Sequence, residues 1–254
     1  MKLFIYDGSF AGLLTAVFEV YEYKAGEALI SKQQETNFVT SENQNVLTDL
    51  NKSERVWNGL KQKASAELCR EIYFSYLSEI KGIENSILRL VRYVFASHVN
   101  VENDYGHTDV LKIKQTAKKV GREKHRFEAF VRFNELPENL FYASIDPDYN
   151  VLPLILPHFK RRYADQDWII YDTKRKYGIA FNKLTQQVSE TVINFTPEAR
   201  YGASTGLMIN ATEKLYQDLW KNYFNSTTIY ARKNIKLHLQ HVPKRYWKYL
   251  TEKQ

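Results

Sequence analysis

The sequence predicts an α+β protein with an N-terminal strand–helix segment, a helical middle, and an antiparallel β–β–α–β–β sheet unit packed on helices. Three observations lead there. Residues 131–133, 141–145, 168–171 and 178–181 are short β-branched or aromatic runs that end at turn residues, the mark of strands. Between the second and third runs, residues 150–163 carry Leu152, Leu156 and Phe159 at helical spacing, with Pro153 near the start and Pro157 inside. This spacing predicts a short, kinked helix. Ahead of this unit, Leu68, Ile72, Tyr76 and Ile80, then Ile83, Ile87, Leu90, Val91 and Val94, repeat on helical faces that bury against one another.

In chain order, residues 2–6 (KLFIY) form an apolar strand, 7–9 (DGS) a turn, and Phe10, Leu13, Leu14, Val17, Phe18 and Tyr21 one face of a helix. Asp7 or Ser9 is placed to cap that helix, or its first-turn amides to hold a phosphate. Residues 28–30 and 37–39 read as short strands pairing beside the first. Helices follow from Ser53, and Cys69 and Tyr73 lie beside their core. After a polar break at 100–107, Val110, Ile113, Ala117 and Val120 define an amphipathic helix over 109–120, with Lys112, Lys114, Lys118 and Lys119 on its other faces. Residues 187–195 alternate as a further strand, and Thr196-Pro197 reads as a helix start. Residues 211–224 read as a largely buried helix with Leu215, Leu219 and Tyr223 on one stripe. Residues 229–250 read as a strand-like run passing into a proline-initiated short helix.

The chain has 254 residues, which suits one large domain or two small ones. The organisation adopted is one domain over 1–254, with sub-regions 1–120 and 121–254. A single cysteine, Cys69, excludes an internal disulfide or a multi-cysteine metal site, and the six histidines fall in no metal-ligand pattern. No metal or cofactor is therefore expected in this chain. There is no glycine-rich dinucleotide or P-loop motif. The N-terminus lacks signal-peptide features and no apolar run reaches membrane-spanning length, so a cytoplasmic protein with no membrane association is expected.

The net charge of +7 is unevenly spread. Residues 1–60 hold five Lys/Arg against eight Asp/Glu, whereas residues 108–126 hold seven against two and residues 211–254 nine against three. Such clustering suits an anionic partner; charges on solvated helix faces are the plainer explanation. Lys118, Lys119 and Arg122 lie in the first basic segment. Arg232, Asn234, Lys236, Lys244, Arg245, Tyr246 and Trp247 lie in the second, where cations alternate with rings able to stack on bases. These ten residues are the candidates for nucleic-acid binding. His125, Arg126, Arg161 and Asp172, around the sheet unit, are the candidates for proton transfer and phosphate clamping, should the fold bring them together.

Taken in order, YDGSFAGLLTAVFE, VGREKHRFEAFVRF, LFYASIDPDYNVLPLILPHFKRRYADQDWIIYD, LWKNYF and IYARKNIKLHLQHVPKRYWKYL resemble an uncharacterised bacterial family described as DNA-metabolism or DNA-repair proteins, over nearly the whole chain. Members of that family look like companions of a radical S-adenosylmethionine protein, and some are fused to a uracil-DNA-glycosylase-like domain. The resemblance implies a role in DNA repair or base modification, with DNA and the radical protein as partners. It implies that S-adenosylmethionine and any iron–sulfur cluster belong to that partner, and it supplies no catalytic residue. The expected function is therefore a DNA-binding repair accessory. A direct enzyme on nucleic acid or a nucleotide, using the His/Arg/Asp set, and a protein-only scaffold are the alternatives.

Overall fold

The computed structural model describes residues 1–32, 43–136, 139–192, 215, 217–222, 226 and 235–253. The expected strand at 37–39 and the helix start at Thr196 lie outside them. The α+β class is as predicted, and the chain divides into two compact units, Met1–Arg122 and Glu123–Gln254.

In the first unit, β1 (Lys2–Tyr6) is followed by α1 (Phe10–Glu22), β2 (Ala28–Lys32) and β3 (Asn43–Asn45). β1 is central, in the order β2-β1-β3, and both pairings are parallel, with Lys2 opposite Ala28 and Leu3 opposite Asn43. Ser9 caps α1 by accepting a hydrogen bond from the Gly12 amide at 2.9 Å. Asp7 accepts from the Ser9 amide, the Ser9 hydroxyl and the Thr48 hydroxyl, at 2.9, 2.8 and 2.8 Å. Burial pushes the Asp7 pKa up, but these hydrogen bonds outweigh it and leave the carboxyl below its ordinary value. The positive end of α1 is thus supplied with an anion from its own chain, which favours the capping alternative over the phosphate one.

Three helices follow: α2 (Leu50–Lys63), α3 (Ala66–Leu77) and α4 (Ile83–Ala96). Asp49 and Ser65 cap the first two, and Gly82, at φ +76°, turns the chain into the third through a conformation that side chains disfavour. Their apolar stripes meet those of β1 and α1 in one core that includes Phe4, Leu13, Leu60, Ile72, Ile87 and Val91. α5 (Thr108–Phe130) then runs 23 residues. The helix expected to stop at Val120 continues through Gly121, because Phe127 extends the stripe of Val110, Ile113, Ala117 and Val120 and all are buried. A mid-helix glycine costs about 1 kcal/mol, which packing of this kind outweighs.

In the second unit, β4 (Asn134–Leu136), β5 (Leu140–Ile145), α6 (Leu152–Arg162), β6 (Asp167–Asp172), β7 (Tyr177–Asn182) and β8 (Gln187–Thr191) form a five-stranded sheet in sequence order. Two expectations are corrected here. Residues 131–133 are not a strand, since Val131 is buried and Phe133 packs its ring against Phe159, Tyr163 and Trp168; the first strand lies just beyond. The sheet is also not wholly antiparallel. β5 and β6 pair in parallel, Leu140 opposite Asp167 and Ile145 opposite Asp172, because α6 carries the chain back to the same end of the sheet before β6 begins. The other pairings are antiparallel, with β8 as the strand expected from alternation.

α7 (Ile235–His241) and two 3-10 turns, Lys244–Tyr249 and Thr251–Lys253, close the chain. Pro243 precedes the first turn as expected, but the run before it is helical from Ile235 rather than strand-like. Residues 217–222 are helical, and Leu215 and Leu219 of the expected stripe are 59% and 54% exposed rather than buried, with Trp220 beside them 42% exposed; Tyr223 lies outside the described residues. Among the described residues no helix is long and apolar enough to cross a membrane.

Candidate nucleic-acid interface

α5 turns its acids inward and leaves four of its seven lysines and arginines exposed. Asp109 is buried and holds Arg89 by two hydrogen bonds of 2.8 Å, through Nε and Nη2. Glu123 is buried, and Glu128 is 14% exposed at its side chain. Lys114 and Lys124 are engaged, with Glu71 at 3.6 Å and Glu128 at 2.7 Å. Lys112, Lys118, Lys119 and Arg122 differ. All four are exposed, and none makes an ion pair or hydrogen bond with a described residue. Buried Val110, Ile113, Ala117 and Val120 fix the opposite side of the helix, and the Ser75 hydroxyl donates to the Ile113 carbonyl at 3.0 Å. Three of the ten expected nucleic-acid residues, Lys118, Lys119 and Arg122, thus lie together on a rigid face, and Lys112 joins them.

The C-terminal candidates are placed differently. Tyr246 is 1% exposed, its ring packed edge-on to Phe127 and tilted on Phe130, so it is a core residue and not a stacking platform. Arg245 donates to Glu123 at 2.6 Å and also to Asp148 and the Tyr246 hydroxyl. Glu123 accepts in addition from the amides of Asp148 and Tyr149, at 3.1 and 2.8 Å. Trp247 is half-buried and donates its indole N–H to the Val242 carbonyl at 3.0 Å. Lys236 and Lys244 are exposed, and Arg232 and Asn234 lie outside the described residues.

The four catalytic candidates have separate surroundings. His125, 87% exposed at its side chain, has Nδ1 3.9 Å from Glu128. Arg126 lies over the Tyr246 ring, 5.7 Å from its centre. Arg161 is exposed in the last turn of α6, where a cation complements the helix dipole. Asp172 is fully buried and closes the β6–β7 turn, accepting from the Lys174 and Arg175 amides and, at 2.9 Å, from the Arg175 guanidinium. Burial pushes its pKa up, against the pull of Arg175. What structure adds beside His125 is His158, whose Nδ1 lies 4.0 Å from the same Glu128. Among the described residues no group of three His, Cys, Asp or Glu could hold a metal ion.

The fold and this face define an α+β protein with a cationic helix presented to solvent. The chain belongs to the family described as a domain of unknown function, DUF4130, which it matches over residues 81–252. No curated protein matches the sequence. Among solved structures it is similar to a pGpG-specific phosphodiesterase, PggH from Vibrio cholerae, with 9% identity, 89% of this chain and 99% of that one covered, and a TM-score of 0.32. A likeness of that size carries no functional argument.

Proposed function

We propose that this protein binds DNA through the exposed face of α5 and serves DNA repair or base modification by presenting DNA to a radical S-adenosylmethionine protein. The observation that carries the reading is the set of four exposed cations with no ion pair to a described residue, Lys112, Lys118, Lys119 and Arg122, on a helix whose carboxylates are all turned inward. An ordinary solvated helix face mixes both signs in i,i+4 pairs, whereas this one keeps a single sign, as backbone phosphates require. The motif resemblance supports the repair setting and the partner. With one cysteine, buried Cys69, S-adenosylmethionine and an iron–sulfur cluster would belong to that partner. Such a complex would work in the cytoplasm.

The test is DNA affinity across a salt series for the native chain and for a variant carrying Lys118→Ala, Lys119→Ala and Arg122→Ala. Each lost phosphate contact lowers the slope of log K against log salt by about 0.9 on duplex DNA. The variant should therefore bind weakly and lose most of its salt dependence while unfolding at the native temperature. Unchanged affinity and slope would refute the assignment.

A further inference from the structure

We infer that the α5 face takes double-stranded DNA by its phosphate backbone, tolerating any base sequence and stacking on no base. This rests on the DNA-binding reading above and narrows it. From Lys112 to Arg122 the exposed positions are Lys112, Gln115, Lys118, Lys119 and Arg122; four are cations and none is a ring. Single-strand binders pair their cations with aromatic platforms on which bases stack. In the tail, Tyr246 and Tyr249 are 1% and 5% exposed and so offer no stacking face, and Trp247 is half-buried with its indole N–H on the Val242 carbonyl.

The spacing fits a stiff, regular polyanion. Lys112 and Lys119 are seven residues apart, about 10.5 Å along the helix, and the whole set spans about 15 Å. Over that length a duplex presents about nine phosphate charges, at one per 1.7 Å of axis, and a single strand about half as many. The array cannot adapt to a flexible strand, because its opposite side is buried in the core of the first unit. Three of the four cations are lysines, point charges on flexible stems that meet phosphate without the planar fork of an arginine. An anionic membrane is a poorer match, since a basic helix binds lipid by inserting its apolar face, and here that face is already packed.

The experiment is fluorescence anisotropy of the full chain with two unrelated duplexes of about 20 base pairs, each component strand alone, and phosphatidylserine vesicles, across a salt series. The expected result is duplex binding at least about tenfold tighter than single-strand binding. The two duplexes should agree within about twofold, and the slope should lie near −3.6, four contacts at about 0.9 each. The triple alanine variant should bring that slope to about −0.9. Equal or tighter binding of single strands, or a strong preference between the duplexes, would overturn this inference while leaving DNA binding standing. Binding to vesicles alone, or to nothing, would overturn both.

Discussion

Glu123 decides how much of the basic C-terminus is left for a ligand. One buried carboxylate collects two backbone amides and Arg245, and Lys248 makes an exposed ion pair with Asp146. Removing the Glu123 carboxylate in Glu123→Ala would leave two backbone amides without their acceptor, a loss of about 1–3 kcal/mol, while Arg245 keeps Asp148. Denaturant unfolding measures that cost, and limited proteolysis should show faster cleavage within 235–253. Asp109 gives a prediction in pH. Burial raises its pKa but the Arg89 hydrogen bonds and charge more than offset this, so the native value lies below the ordinary 3.8. A depressed carboxylate pKa stabilises fully above the unfolded value and loses that contribution as pH falls through the native one. The stability gap between native chain and Asp109→Asn should therefore be constant near neutrality and shrink below about pH 4. At this scale the sequence was least legible. Lys114 and Lys118 look alike in a lysine-rich run, and only the fold shows that Glu71, on a different helix, claims the first and leaves the second. Tyr246 likewise reads in the sequence as a stacking ring beside its cations, whereas it is buried against Phe127.

At the scale of elements, periodicity carried far. The apolar stripes of α1 to α4, the strands β1, β5, β6, β7 and β8 and the proline-containing α6 all follow from spacing in the sequence. It failed where a local signal met a tertiary one. Gly121 suggested an end to α5, but Phe127 continues its buried face. The run ahead of Pro243 reads as strand-like in the sequence, yet it is helical from Ile235 to His241 and Leu237 is 50% exposed. Strand direction depends on the length of the connection, which is why α6 converts an expected antiparallel pair into a parallel one. Gly178 supplies a test within the sheet. A Cβ there would lie 2.9 Å from the Ile170 carbonyl oxygen and 3.1 Å from the Tyr171 ring, so β6 and β7 pack at this point only because no side chain intervenes. Gly178→Ala should cost about 1–3 kcal/mol, read from the midpoint of denaturant unfolding.

For the molecule as a whole, charge clustering was legible and its consequence was not. Both basic segments stand out in the sequence, and the structure divides each of them: in the second, Arg245 and Lys248 pair with Glu123, Asp148 and Asp146 while Lys236 and Lys244 are exposed, and in the first, Lys114 and Lys124 are engaged while four cations share one exposed helix face with no ion pair to a described residue. The match to the DUF4130 family begins at residue 81 and so takes in α4, the whole of α5 and the second unit. The interface proposed for α5 therefore lies inside the family's own span. The most direct test is amine-reactive footprinting of the lysines, read by mass spectrometry, with and without saturating duplex DNA. Lys112, Lys118 and Lys119 should become protected while Lys236 and Lys244 label as before. Protection of Lys236 and Lys244 with unchanged labelling along α5 would contradict it.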